Sequence, residues 1–153
     1  MNAVLIPYPP IILSPNSRTH YMTKHKAVSA YRKLTAYHGA GKECLQNPVC
    51  AIVPLVTTRR RRDIDNVLAS LKAALDGLTD AGWWKDDHDI RGYHLVPEIY
   101  SPKFGDKKIL IVACEQEHEQ ELAVRVKRFR EQVDIGLPET ALATYFDLIS
   151  RPV

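Results

Sequence analysis

The chain reads as an α+β domain, a mixed β-sheet packed with helices and followed by C-terminal helices. Three observations predict this class. Short runs rich in valine and isoleucine are interspersed with helical patterns in an order that suits a mixed sheet. One segment, Asn66–Ala81, carries leucines at helical spacing on a single face. The 153 residues, 45% hydrophobic and 25% charged, are enough to enclose one core without a metal or disulfide staple.

Ala3–Tyr8 reads as a short strand stopped by Pro9-Pro10, and Ser14-Pro15-Asn16-Ser17 is turn chemistry. Lys24 to His38 has Ala27, Val28, Tyr31, Leu34 and Thr35 at helical spacing, with Gly39 and Gly41 as the stop. Val49–Thr58 reads as a strand, and Pro54 argues for an edge position or a bulge. Leu68, Leu71, Leu75 and Leu78 line one face of the Asn66–Ala81 helix, which Gly82 ends. Ile90–Tyr100 and Lys107–Glu115 read as two strands joined by a Ser-Pro-Lys-Phe-Gly-Asp turn, a hairpin. His118–Val133 reads as a second amphipathic helix and Glu139–Ile149 as a shorter third.

Several classes are excluded. No apolar run approaches the roughly 18 residues that span a bilayer. The opening MNAVLIPYPPIILSPN is apolar but broken by four prolines and lacks a basic leader, so no secretory signal is expected. Cys44, Cys50 and Cys114 make an odd count without CxxC spacing, which favours free thiols in a reducing cytoplasm. The six histidines show neither HxxxH nor HExxH spacing, and His38 with Cys44 and Cys50 is not a standard zinc pattern.

Charge is segregated. Residues 1–62 hold ten Lys/Arg and one acid, Glu43, whereas the remainder holds eleven bases and seventeen acids. A basic half beside an acidic half fits a polyanion-binding face next to a carboxylate-rich site, although a solvated surface would read the same way.

The basic half ends in Arg59-Arg60-Arg61-Arg62, and Asp63-Ile64-Asp65-Asn66 follows at once. In an extended segment Asp63 and Asp65 would face one point, as hard oxygen ligands of a divalent cation require. N-capping explains one carboxylate at a helix start but not two beside four arginines. An EF-hand is ruled out, because the twelfth position from Asp63 is Ala74 and no loop glycine is present. A second acidic group, Asp86, Asp87 and Asp89, follows Gly82-Trp83-Trp84-Lys85. If Ile90–Tyr100 pairs beside Val49–Thr58, that group returns toward the first, giving convergent carboxylates beside a basic run. Lys72 lies seven residues after Asp65, about 10 Å along a continuous helix, and is either a phosphate-facing lysine or a snorkelling one. Trp83 and Trp84 are either base-stacking platforms or packing at a helix–sheet junction.

The run RRRRDIDN (59–66) followed by LKAALDGLTDAGWWKDD (71–87) resembles the signature of RusA-type crossover junction endodeoxyribonucleases, many of them encoded by phages and prophages. PPIILSPNSRTHYMTKHKAVSAYR (9–32) is similar to that family's opening, and the likeness extends over roughly the first 115 residues in matching order. The resemblance implies a RusA-like nuclease domain over residues 1–116, with residues 117–153 as a helical extension packed on it. It further implies a Mg²⁺- or Mn²⁺-dependent homodimer that binds four-way DNA junctions and nicks two strands symmetrically. The family's catalytic acids fall on Asp63, Asp65 and Asp87, with Asp86 a further metal ligand and Lys72 the helix lysine. Arg59, Arg60, Arg61, Arg62, Asn16, Arg18, His20 and Lys24 would contact DNA. Compared with the shortest members, the stretch from Asn66 to Lys72 is three residues longer, which moves the lysine nearly one turn along its helix. The rival readings are a non-cleaving branched-DNA-binding protein and a related nuclease preferring flaps or forks.

Overall fold

The computed structural model describes residues 1–59, 62–100 and 105–134. A mixed five-stranded sheet forms its centre: β1 (Asn2–Pro7), β2 (Pro48–Val56), β3 (Gly92–Leu95), β4 (Ile99–Tyr100) and β5 (Lys108–Glu115). The strand order is β1-β5-β2-β3, with β4 also pairing β2. Around the sheet are α1 (Tyr21–Gly39), α2 (Ile64–Ser70), α3 (Lys72–Asp80) and α4 (Glu119–Asp134). The predicted α+β class with a mixed sheet is what the chain adopts.

β2 and β5 are the core of the sheet and are antiparallel, with Cys50 opposite Ala113 and Ile52 opposite Ile111. Both are near-continuous apolar runs because both of their faces are covered. On one face Val4, Ile6, Cys50, Ile52, Ile109 and Ile111 pack under α1, α2 and α3. On the other, Ala3, Val49, Ala51, Val53, Leu110 and Val112 pack against Leu122, Val126 and Phe129 of α4. The two sets alternate along each strand, as the pleat dictates.

Three expectations are corrected. The hairpin is absent: β3 and β4 run parallel to β2, and β5 lies on the far side of β2, between β2 and β1. A parallel pair needs a crossover, and α2 and α3 supply it. Pro54 does not put β2 at an edge. Val96 N–H donates to the Ile52 carbonyl, so the alternate residue Pro54 faces the same side of the strand. There the neighbouring strand is interrupted between Leu95, opposite Ile52, and Ile99, opposite Leu55. The donor that proline lacks therefore falls where no ladder bond is needed.

The expected Asn66–Ala81 helix is instead two. Ser70 Oγ donates to the Asn66 carbonyl at 2.7 Å, and Leu71 N–H bonds Leu68 O three residues back rather than four. Such side-chain back-bonding bends helices, and the break falls at Leu71, which is fully buried. The leucine face survives the bend: Leu71, Leu75 and Leu78 are all buried. α3 lies so close to α1 that a Cβ on Gly77 would sit 2.4 Å from the Arg32 carbonyl oxygen. The predicted third helix, Glu139–Ile149, lies outside the described residues, as do 101–104 of the expected turn.

Candidate active site

The crossover places both acidic groups along the α2–α3 layer. Asp63 is the N-cap of α2, and its carboxylate accepts from Asp65 N–H and from Asn66 Nδ2, each at 3.3 Å. Asp65 lies inside the first turn, so the pair does not share a face by strand alternation; one carboxylate caps, and the other is exposed beside the positive end of the helix.

Arg62 is anchored. Its guanidinium donates to Glu98 Oε2 at 3.0 Å and to Thr58 Oγ1 at 3.0 Å, and its side chain is only 13% exposed. Glu98 comes from the gap between β3 and β4, and its second oxygen, Oε1, is buried without a hydrogen-bond partner among the described residues. A cleft of about 400 Å³ opens beside this pair, lined by Tyr8, Pro10, Arg62, Asp63, Asn66 and Lys107. Burial, reinforced by Glu98, pushes the Tyr8 phenol above its ordinary range. At Ser70 this cleft adjoins a second, of about 300 Å³, that takes in Lys24, Lys72 and Asp76.

The second acidic group arrives because β3 pairs with β2. Arg91 N–H bonds the Pro48 carbonyl at 2.8 Å, which ties the end of the acidic loop to the start of β2. The loop is a short 3-10 turn, Asp87–Asp89, capped reciprocally by Asp86 and Asp89. Lys72 Nζ lies 3.4 Å from Asp76 Oδ1 and 3.7 Å from Asp87 Oδ2, and its side chain is 72% exposed. Nearby, burial pushes the Tyr93 phenol up to about 12, and the Asp87 and Asp76 charges add to the shift.

Asp86, Asp87 and His88 hold ligand atoms within 4.8 Å of one another; Asp63, Asp65 and Asp87 form no such set. His88 Nδ1 is 2.7 Å from Asp86 Oδ1 and 3.1 Å from Asp87 Oδ1. The His88 backbone N–H and ring hold the Asp86 carboxyl well below the usual carboxylate range, and the same hydrogen bond raises the histidine.

A quarter of the chain resembles a known nuclease. Over 38 residues, 25% of this chain, it is 53% identical to the crossover junction endodeoxyribonuclease RusA of Escherichia coli (strain K12) and to that of Shigella sonnei (strain Ss046). The chain spans 29% of the length of these relatives. No family model matches it.

Of the other expected DNA contacts, Asn16 and Arg18 are exposed in the loop before α1. His20 is instead the N-cap of α1, accepting from Met22 N–H, and Lys24 lines the Lys72 cleft. Arg59 stacks over the Tyr100 ring at 4.8 Å. Arg60 and Arg61 lie outside the described residues. Neither tryptophan is free to stack on a base. Trp83 and Trp84 are 0% and 1% exposed, meet edge to face, and donate to Gly39 O and Thr79 Oγ1. Reading the sequence missed Glu98, Asp76, Tyr93 and His88. Only His88, adjacent to the Asp86-Asp87 pair, carried a local signal. No helix among the described residues is long and apolar enough to cross a membrane.

Proposed function

We propose that the chain is a Mg²⁺- or Mn²⁺-dependent endonuclease that cuts branched DNA, with four-way junctions as its substrate. The observation that carries this reading is the meeting of Lys72 with Asp87 across the α3–β3 connection, along a track of clefts that begins at Asp63. An acid-and-lysine track next to a basic layer suits a phosphodiester better than a neutral or cationic substrate. The 38-residue stretch that is 53% identical to RusA points the same way.

The donor set is right for a hard cation: exposed carboxylates, with a histidine nitrogen beside two of them. Asp86 and Asp87 would hold it, and Asp63 and Asp65, which lie outside that ligand set, are the further acids that the RusA resemblance implies. A divalent cation supplies neutralisation of the scissile phosphate and activation of water for attack. Lys72, mostly solvated and bound only to carboxylates, would turn to the phosphate and stabilise the charge that builds as the bond breaks. Glu98 and Thr58 would hold the Arg62 guanidinium fixed at the edge of the cleft, so that it orients a phosphate without reordering. Arg59, Arg18 and Lys24 would position the backbone without reading bases. Residues 1–116 would form the nuclease domain, and two copies would act together, because paired nicks across a two-fold junction call for two sites.

Asp65→Asn tests the assignment. It keeps shape and removes one negative ligand. Cleavage of a synthetic four-way junction should collapse while junction binding persists. Loss of binding and folding together would make Asp65 a structural residue only.

A further inference from the structure

The first 42 residues contain no acid, and the charge they carry is concentrated on α1 and the loop before it. α1 has no acidic residue in its first turn or anywhere in its 19 residues. Its inner face, with Tyr31 and Thr35 buried, packs on the sheet and α3. Its outer face carries Met22, Lys26, Ser29, Lys33 and Tyr37, which fall on one stripe at 100° per residue. Tyr37 is 81% and Met22 55% exposed, and Lys26 and Lys33 are exposed between them.

Several cations of the helices have acidic partners. Arg125 pairs with Glu121, Lys127 with Glu131 and Lys72 with Asp76, and Arg32 on the flank of α1 reaches across to Asp80. Lys26 and Lys33 have no hydrogen-bond or ion-pair partner among the described residues. Lys26 and Lys33 lie two turns apart on the stripe and have none of the i,i+4 acids that would pair them and support the helix. The placement makes sense if the counter-charge arrives with a ligand.

We propose that this outer face of α1 is a second nucleic-acid contact, which holds the phosphate backbone of a duplex arm away from the Asp63 cleft. Lys24 and Lys26 are about 200° apart around the helix, so Lys24 serves the Lys72 cleft and Lys26 a different surface. From Met22 to Tyr37 the stripe runs about 22 Å, the length of roughly six base pairs of duplex. Between its two ends it carries lysine, serine and alanine and no large apolar side chain, so it has little to insert into a bilayer. The inference deepens the nuclease reading and rests on it for the branched substrate, since a second arm exists only there.

The test uses the full chain with Lys26→Gln and Lys33→Gln together, which keeps helix propensity and removes both charges. Binding to a four-way junction with long arms is measured from low to high salt. The slope of log K against log salt should flatten by about 1.8, two phosphate contacts at roughly 0.9 each. Single-turnover cleavage at saturating protein should be unchanged, and Lys26→Arg with Lys33→Arg should restore the slope. Shortening the arms to about six base pairs should bring the unaltered chain down to the level of the variant. An unchanged slope in a variant with normal thermal unfolding overturns the inference, as does loss of binding to phosphatidylserine vesicles with junction binding intact. If the unaltered chain cuts branched DNA and the slopes agree, the inference alone fails. If it cuts nothing and the slopes differ, the nuclease reading alone fails.

Discussion

Gly77→Ala is the substitution whose outcome follows most directly from the packing. In an exposed helix interior, replacing glycine by alanine would favour the helix by about 1 kcal/mol. Here the new Cβ would lie 2.4 Å from the Arg32 carbonyl oxygen, 3.1 Å from Thr35 Cβ and 3.2 Å from Ala36 N. A relaxed carbon–oxygen contact is near 3.3 Å, so α1 and α3 would have to part by about 0.9 Å. A backbone carbonyl in mid-helix cannot rotate aside, which puts the cost at the upper end of overpacking, about 3 kcal/mol. The net loss is then about 2 kcal/mol, or roughly 4–8 °C in Tm for a chain of this size. Thermal and urea unfolding read it. The same displacement would widen the Lys24–Lys72 cleft, so binding should weaken alongside stability. A variant as stable as the unaltered chain, or more so, would refute the close approach of these helices.

Two further substitutions or treatments probe the core. Trp83→Phe keeps an aromatic ring but loses the 2.7 Å bond to the buried Gly39 carbonyl, at a cost of about 1–3 kcal/mol in urea unfolding. A loss well below that would mean the indole N–H contributes little. Burial pushes the Cys50 and Cys114 thiols up to about 12 and about 11, whereas Cys44 is exposed. At pH 8 the native chain should therefore label rapidly at Cys44 alone and at all three thiols once unfolded; rapid native labelling of Cys50 would contradict the buried central strand.

The parts of the fold legible in the sequence are those set by local periodicity. The Leu71, Leu75 and Leu78 face and the α1 segment could be read from helical spacing, and β2 and β5 from short, continuous apolar runs rich in valine and isoleucine. Strand partnership could not be read this way, because any two apolar runs separated by a turn look like a hairpin. What decides is that β2, covered on both faces, takes β5 on one side and β3 on the other. The helix break at Leu71 was hidden for a different reason. A serine hydroxyl bonding back to a carbonyl leaves no mark on hydrophobic periodicity. At the site, the Asp63–Asp65 and Asp86–Asp87 groups and Lys72 stood out as acids and a lysine in a fixed order. Glu98 did not, because its importance comes from contact with Arg62, 36 residues away in sequence.

Cleavage of synthetic DNA of defined shape tests the central claim most directly. A four-way junction, a flap and a linear duplex of matched sequence are incubated with the full chain, with Mg²⁺ or with a chelator. Paired incisions in the junction with Mg²⁺, none with chelator and none in the linear duplex are the predicted result. Tight junction binding with no cut strand under either Mg²⁺ or Mn²⁺ would contradict it and make the chain a branched-DNA-binding protein.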